Sequence, residues 1–184
     1  MPAAGTSVKS DVRRQHVVEA AVACFAHKGF YGTNTNQIAK LASISQPYLY
    51  RLFANKEALF VAAVDHVGGL LSQALITASA AHAKEQTVSS PQALLAAYGG
   101  LIEDRNILRF LMQANCATDE PVIRDAVRAC YAEQVMLVCE LLDGDQDAVR
   151  RWFGAGMLEN VVATLGLADV AEPWAKTLVG AVSD

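Results

Sequence analysis

The segment between Thr35 and Lys56 constrains the fold of this chain most, because it contains two short helical patterns joined by a tight turn. Apolar residues recur at helical spacing on both sides of that turn, which predicts two helices packed on a shared core. A second face carries side chains that can hydrogen-bond to base edges or phosphates, namely Gln46, Tyr48, Tyr50 and Arg51. This pattern predicts a helix-turn-helix whose second helix reads a DNA major groove.

The residues that flank these two helices are typical of helix ends. Asn34 or Thr35 can cap the first of them, and Gln37 lies where it can complete a capping box with Asn34. Ser45 can cap the next helix, and Pro47 is tolerated in its first turn because an N–H there would have no partner. The predicted turn between the helices comprises residues 42–44.

Helical patterns continue through the rest of the 184 residues, and no strand pattern interrupts them. We expect an all-α fold of about nine helices, with a three-helix head linked by a long helix to a C-terminal helical bundle. The predicted organisation is a disordered N-terminal tail over residues 1–10, a helix-turn-helix DNA-binding domain over 11–56, and a ligand-binding and dimerisation domain over 57–184. The last helix is predicted over residues 170–182.

The composition indicates an extensive core and a buried interface, since 53% of the residues are hydrophobic and the mean hydropathy is +0.23. No run of about 18 uninterrupted apolar residues occurs, and the N-terminus lacks the apolar stretch of a signal peptide. We therefore expect a cytoplasmic protein that does not span a membrane. The four cysteines lack metal-ligand spacing, so we expect free thiols in a reducing compartment and no metal or cofactor.

Charge is distributed unevenly between the predicted head and the rest of the chain. Residues 1–56 contain seven Lys or Arg and two Asp or Glu, which gives +5, whereas the chain as a whole has a net charge of −4. The remainder is therefore strongly acidic. A basic head on an acidic body predicts that only the head meets a polyanion, although a solvated N-terminal surface is an alternative.

The stretch GFYGTNTNQIAKLASISQPYLYRLFANKEALF resembles the TetR family of bacterial transcriptional repressors. Several positions agree at fixed spacing, including the Gly29-Phe30 helix end and the Lys56-Glu57 start of the fourth helix. The resemblance implies a DNA-binding head and a helical body that differs between members according to their ligands. The family usually has glycine where this chain has Ser43, which can adopt the required backbone at some cost.

Seven side chains of the head are predicted to contact DNA. Gln46 and Tyr48 lie where a recognition helix meets base edges, although Tyr48 could instead pack on the sugar-phosphate backbone. Tyr50 is expected to donate its hydroxyl to a phosphate, as the resemblance also implies, or to pack against the first helix. Lys56 adds a positive charge to the N-terminal end of the fourth helix, which favours a phosphate. The full set is Thr35, Asn36, Gln46, Pro47, Tyr48, Tyr50 and Lys56.

The predicted body can enclose a small-molecule pocket between its helices. Aromatic and polar side chains on several predicted helices are candidates to line it, although each of them could be plain core instead. The candidates indicate a mostly apolar or aromatic ligand. They are Tyr98, Phe110, Met112, Asn115, Cys116, Tyr131 and Trp152.

The last two predicted helices carry a broad apolar face with two glycines that allow close backbone approach. Two such helix pairs from two chains would form an intermolecular four-helix bundle, although the face could instead be internal core. We therefore predict a homodimer. The predicted interface residues are Phe153, Gly156, Met157, Asn160, Val161, Thr164, Trp174 and Leu178.

These features favour a dimeric, sequence-specific DNA-binding transcriptional regulator, with a repressor released by a small-molecule ligand as the preferred form. Its predicted partners are double-stranded DNA with a palindromic operator, a second copy of the chain, and the ligand. An enzyme is not expected, because the sequence has no catalytic Ser/His/Asp order, no metal-ligand spacing and no glycine-rich phosphate loop. The alternative is a helical sensing or interaction module that does not bind an operator.

Overall fold

A computed structural model describes residues 4–84 and 90–180, with side-chain surroundings for 11–81 and 90–180. Within these ranges the chain forms nine α-helices and one short 3-10 turn, Leu167–Asp169, and no strand, as the sequence predicts. The helices are α1 Ala4–Gly32, α2 Thr35–Leu41, α3 Gln46–Leu52, α4 Lys56–Lys84, α5 Pro91–Ile102, α6 Arg105–Cys116, α7 Pro121–Leu141, α8 Gln146–Leu165 and α9 Pro173–Val179.

The chain divides into two compact units. The head unit comprises the chain up to Val67 together with Arg109–Cys130, and the body unit comprises Gly68–Leu108 together with the chain from Tyr131 onward. The head unit thus contains a segment from the second half of the sequence. The functional boundary after residue 56 stays a prediction.

Helix α1 begins at Ala4, so the disordered tail predicted over residues 1–10 is wrong from residue 4, while residues 1–3 lie outside the described part. Near its other end, Gly29 has φ 66° and ψ −177°, which interrupts the helical backbone there. A β-carbon at Gly29 would lie 2.6 Å from Oε1 of Gln113. The left-handed backbone favours glycine here, the residue that the sequence marked as the helix end, whereas the flexible Gln113 side chain can move aside.

The helix ends around α2 and α3 form as predicted. The Asn34 side chain accepts from the backbone of α2, and Gln37 completes the capping box. Ser45 caps α3 by accepting from the Tyr48 N–H at 3.3 Å. Between them Ser43 has φ 53°, which is the left-handed backbone that a glycine would adopt without strain.

Four aromatic rings fill the core of the head unit. Phe25 packs edge-on against Phe60 with ring centroids 4.8 Å apart, and Phe30 packs on Phe60 at 5.4 Å. Phe110, predicted to line a ligand pocket, is buried in this cluster at 5.2 Å from Phe60. These rings fix α1 and α4 against each other, and Ile38 and Leu49 add the buried faces of α2 and α3.

The end of the body unit differs from its predicted form. A break at residues 143–145 separates α7 from α8, with positive φ at Asp143 and Gly144 and a side-chain cap from Asp145. Helix α8 then ends at Gly166 in a left-handed cap, and the 3-10 turn follows. Because of that turn, α9 begins only at Pro173, and residues 181–184 lie outside the described chain.

Helix α4 is long and apolar enough over Lys56–Ala81 to cross a membrane by length and composition alone. Its sequence is interrupted by Asp65 and His66, however, and many of its apolar side chains are buried inside the protein, including Leu59, Phe60, Val67, Leu71 and Leu75. This burial is typical of the core helix of a globular protein. The composition of α4 therefore reflects packing on the protein core.

Candidate nucleic-acid interface

Three of the predicted DNA contacts form one hydrogen-bond network between α2 and α3. Gln46 donates from Nε2 to Oγ1 of Thr35 at 2.9 Å, and the same Oγ1 lies 3.0 Å from the Tyr50 hydroxyl. Thr35 is only 6% exposed, whereas Tyr50 is 45% exposed. Asn34, and not Thr35, caps α2, so the Thr35 hydroxyl is left to organise the two side chains of α3.

Tyr48 lies between two arginines, one on α1 and one on α3. The guanidinium carbon of Arg13 is 5.8 Å from the centroid of the Tyr48 ring, and that of Arg51 is 5.6 Å from it. Both arginines are exposed. Guanidinium groups at this distance hold an aromatic ring by cation–π attraction and remain positive towards solvent. Arg13 and Arg51 are two of the seven basic residues among residues 1–56, but the sequence carries no signal for this arrangement.

Lys56 has two carbonyl partners within the head unit. Its ammonium donates to the Phe30 carbonyl at 2.9 Å and to the Thr33 carbonyl at 3.4 Å, and it lies 4.3 Å from the centroid of the Phe30 ring. Lys56 thereby fastens the end of α1 to the start of α4. Its predicted phosphate contact stays a prediction.

The remaining predicted contacts are on the surface. Asn36 and Pro47 are exposed in the first turns of α2 and α3. Asn55, which the sequence did not single out, caps α4 by accepting from the Ala58 N–H at 2.7 Å. Arg14 lies 4.3 Å from the centroid of the Phe53 ring. All of the predicted DNA contacts thus come from α2, α3 and the start of α4, within one unit.

The segment that carries the predicted DNA contacts is similar to a known protein family. The profile of a family described as bacterial regulatory proteins, tetR family, matches residues 17–63. This segment of the head is therefore similar to the TetR family. The match contains α2, α3 and the start of α4, and therefore every one of the seven predicted DNA contacts.

Proteins similar to this segment include a repressor and an activator. The transcriptional repressor NicS of Pseudomonas putida is 33% identical over 66 residues, which are 36% of this chain and 31% of NicS. The transcriptional activator FasR of Mycolicibacterium smegmatis is 33% identical over 69 residues, 37% of this chain and 32% of FasR. The chain therefore matches about a third of the length of each relative, and these are regulators and not enzymes.

The fold is similar to that of a solved transcriptional regulator. The transcriptional regulator FadR of Bacillus subtilis, in complex with stearoyl-CoA, aligns with a TM-score of 0.63 over 90% of this chain and 95% of FadR. The two sequences are 14% identical, so this likeness concerns the all-α fold alone.

The predicted ligand-lining residues do not come together in the structure. Phe110 lies in the aromatic core of the head unit. Three other predicted residues lie at exposed positions of α6 in the same unit: Met112, Asn115 and Cys116. Tyr98, Tyr131 and Trp152 belong to the body unit, where the Tyr98 and Trp152 rings pack edge to face at 5.9 Å. The predicted set therefore divides between the two units.

Two buried polar atoms of the body unit have no hydrogen-bond partner among the described residues: Nε1 of Trp152 and Oε1 of Gln134. The Gln134 amide nitrogen, by contrast, donates to the Gly68 carbonyl at 3.2 Å and to the Ser72 hydroxyl at 2.8 Å. Separately, an apolar groove of about 570 Å³ runs between α4 and α5, lined by Leu70, Ala74, Ala97 and Leu101 among others. None of the predicted ligand-lining residues lines that groove.

The predicted dimer residues differ in burial, and some of them are covered by contacts within the protomer. Gly156 and Asn160 are buried against α5, where a β-carbon at Gly156 would meet the Tyr98 ring at 3.5 Å and Asn160 accepts from the Tyr98 hydroxyl at 2.7 Å. Leu178 packs on the small cluster around Leu167. These positions stabilise the protomer itself, which argues against the predicted role of Gly156 and Asn160 between two chains.

The other predicted dimer residues are more accessible. Phe153 and Thr164 are half-buried, and three predicted positions are exposed: Met157, Val161 and Trp174.

Two further apolar side chains, Leu158 and Leu165, are exposed on α8 beside Val161. Neither of them belongs to the predicted dimer interface. Their helical spacing with Met157 and Val161 makes one continuous apolar stripe on the surface of the body unit. We call this set, Met157, Leu158, Val161 and Leu165, the α8 stripe.

The thiols and the described acidic and imidazole groups give no sign of redox or metal chemistry. Cys24, Cys116 and Cys139 are free thiols, and burial raises the pKa of Cys24, with Lys28 partly opposing that effect. A raised pKa lowers the thiolate fraction on which cysteine reactivity depends. Within the part of the chain that the structure describes, no three His, Cys, Asp or Glu residues are grouped to hold a metal ion.

Proposed function

We propose that this protein is a dimeric transcriptional regulator that binds a specific DNA sequence through α2, α3 and the start of α4. The observation that carries the proposal is the ordered surface of α3, where Gln46 and Tyr50 are held by Thr35 and Tyr48 is held by two arginines. A recognition helix needs such pre-ordered side chains, because those already oriented lose less entropy on binding.

Charge supports the same assignment of the DNA surface to the head. Arg13, Arg14 and Arg51 are exposed there, and aromatic rings lie beneath their guanidinium groups. These positive charges remain available to phosphates, which supply most of the sequence-independent affinity for DNA. The acidic remainder of the chain would be repelled by the same polyanion, which favours contact through the head alone.

We assign dimerisation to the α8 stripe together with Trp174. Leu165 is 62% exposed and Trp174 is 56% exposed, although both are large and apolar. Contiguous exposed apolar side chains on a globular protein mark an interaction surface, and a second copy of the chain is the most economical partner. A two-fold dimer requires a site with two-fold symmetry, so the operator should be a near-palindrome.

We infer that a small molecule of mostly apolar or aromatic character binds the body unit and releases DNA, as in a repressor. The unpartnered Trp152 Nε1 and Gln134 Oε1 support a ligand that also offers one hydrogen-bond acceptor and one donor. The stearoyl-CoA in FadR is an example of a ligand with a long apolar acyl chain on a similar fold. We propose repression because the similar protein NicS is a repressor. The similar protein FasR is an activator, so an experiment must decide between repression and activation. A cytoplasmic location agrees with these partners.

The experiment that tests DNA binding is selection of bound duplexes from random DNA by the full-length protein, followed by affinity measurements at several salt concentrations. We expect an enriched motif with inverted symmetry and an affinity that falls steeply with salt. Recovery of no motif would instead support a helical sensing or interaction module that does not bind an operator. A reporter gene placed behind the recovered motif then decides between repression and activation.

A further inference from the structure

The hydroxyl of Thr35 lies between a predicted base-reading side chain and a predicted phosphate-binding side chain. It accepts from the Gln46 amide at 2.9 Å and lies within hydrogen-bonding distance, 3.0 Å, of the Tyr50 hydroxyl. Thr35 is nearly inaccessible to solvent, so its own contact with a phosphate is unfavourable in this arrangement. Its hydroxyl therefore acts on DNA through its two neighbours.

We propose that Thr35 is a positioning residue that couples phosphate binding by Tyr50 to base selection by Gln46. The proposal rests on the DNA-binding function proposed above. A tyrosine hydroxyl has one hydrogen, so when that hydrogen is donated to a phosphate, Tyr50 can only accept from Thr35. Thr35 then donates its single hydrogen to Tyr50 and keeps its lone pairs for Gln46. The chain of donors runs from Gln46 through Thr35 and Tyr50 to the phosphate, and each bond in such a chain strengthens the next.

The same geometry determines which base Gln46 prefers. With one Nε2 hydrogen bound to Thr35, the Gln46 amide retains one donor and one acceptor. Adenine presents one acceptor, N7, and one donor, the N6 amino group, and so matches this pair in the major groove. Guanine presents two acceptors, N7 and O6, and would face the amide oxygen of Gln46 with one of them. Thr35 thus makes Gln46 select adenine over guanine.

The test measures base preference at each position of the selected motif for the wild type and for variants of Thr35. A preference for adenine over guanine of at least about fivefold is expected at the Gln46 position, since a good bidentate contact discriminates by about 1–3 kcal/mol. Thr35→Val removes the hydroxyl at nearly constant shape and should reduce that ratio to below about twofold. Thr35→Ser keeps the hydroxyl and should keep the ratio.

A matched control removes the same kind of bond elsewhere. Gln73 donates to the Thr77 hydroxyl at 3.1 Å on the body part of α4, so Thr77→Val should leave the base preference of the motif as it is in the wild type. The double variant Thr35→Val with Gln46→Ala should be no less selective than Gln46→Ala alone, because both remove one coupled interaction. If the losses of adenine preference caused by the two single substitutions multiply in the double variant, the two residues act independently and the proposal is overturned.

Tyr50→Phe keeps the proposal testable if Thr35→Val does not fold, because the Tyr50 side chain is largely exposed and only its hydroxyl is removed. This variant should bind all duplexes more weakly and should also reduce adenine preference, since the Thr35 hydrogen is then no longer committed to Tyr50 and is free to turn towards the Gln46 amide. If Tyr50→Phe or Thr35→Val retains the wild-type adenine preference, Thr35 does not couple the two contacts. A wild type that selects no motif would instead refute the DNA-binding function itself.

Discussion

Lys56 joins two segments of the head through its ammonium group, and its phosphate contact stays a prediction. Its ammonium donates to the carbonyls of Phe30 and Thr33, so Lys56→Ala leaves two acceptors at the end of α1 without their charged donor. We expect the free energy of unfolding to fall by about 1–2 kcal/mol, since hydrogen bonds to charged groups contribute at this scale and the site is partly exposed. Denaturant titration measures this effect.

Lys40 supplies the control for this prediction, because it is exposed in the last turn of α2. Lys40→Ala should leave the free energy of unfolding within about 0.5 kcal/mol of the wild type. Equal stability of the Lys56 and Lys40 variants would contradict the fastening role of Lys56. A salt slope for DNA binding that falls by about one unit in the Lys56 variant would support its additional phosphate contact.

Tyr98 should make the protein less stable at alkaline pH. Burial raises the pKa of Tyr98 to about 12 from the ordinary value of 10.0. The unfolded chain therefore releases the phenolic proton at lower pH than the folded chain, and stability that is fully present below pH 10 is lost as the pH rises towards 12. A shift of this size corresponds to about 2–3 kcal/mol.

The measurement for Tyr98 is the free energy of unfolding between pH 9 and 12 for the wild type and Tyr98→Phe, with ionisation followed by tyrosinate absorbance. The free energy of unfolding of the variant should be lower at pH 8, because Asn160 loses its hydrogen-bond partner. Above pH 10 it should fall less steeply than that of the wild type. Parallel curves for the two proteins would mean that Tyr98 ionises as an exposed tyrosine does.

At the scale of single helices, the two sides of α8 have different roles. Leu165→Glu places a charge in the α8 stripe, which is exposed in the protomer, so it should weaken dimerisation by at least about tenfold without unfolding the chain. Gly156→Leu adds bulk on the opposite side against Tyr98, and overpacking of this kind typically destabilises by about 1–3 kcal/mol. Sedimentation over a concentration series, combined with thermal melts, separates these effects.

Val122 provides the control for the charge itself. It is 60% exposed on α7 in the head unit, whereas the α8 stripe belongs to the body unit, so Val122→Glu should leave the oligomeric state as in the wild type. If Leu165→Glu and Val122→Glu give the same dimer affinity, the α8 stripe is not the interface. If Gly156→Leu dissociates the dimer without lowering the melting temperature of the protomer, Gly156 belongs to that interface after all.

For the whole molecule, ligand release requires reciprocal coupling between the body and the operator. A ligand that releases DNA must bind more weakly when the operator is present, and by the same factor, about 5–150 for ordinary allosteric coupling. Trp174→Phe leaves Trp152 as the one tryptophan, since the chain has two, and its buried indole then reports binding in the body unit. We expect compounds that alter this fluorescence to lose affinity on addition of the selected duplex at fixed salt.

The control for that coupling is a duplex with the motif scrambled, which should leave ligand affinity unchanged at the same salt. A compound that alters Trp152 fluorescence with the same affinity in the presence and absence of the selected duplex does not shift the protein between its DNA-binding and released conformations. Such a result would separate ligand binding from control of DNA release, and the regulator would then act without this ligand.

The sequence by itself determined the all-α class, the helix ends and the predicted DNA contacts, because caps, turn residues and helical periodicity act within a few neighbouring residues. Asn34, Ser43 and Ser45 adopt the roles that their local chemistry indicates. Only the tertiary structure decided what the side chains touch across distant segments. Thr35 meets Tyr50 and Gln46, Phe110 joins the core of the head, and Gly156 and Asn160 meet Tyr98. Helical periodicity gives the face on which a residue lies, but it does not identify the neighbour that covers that face, since packing between helices is specified by the whole fold.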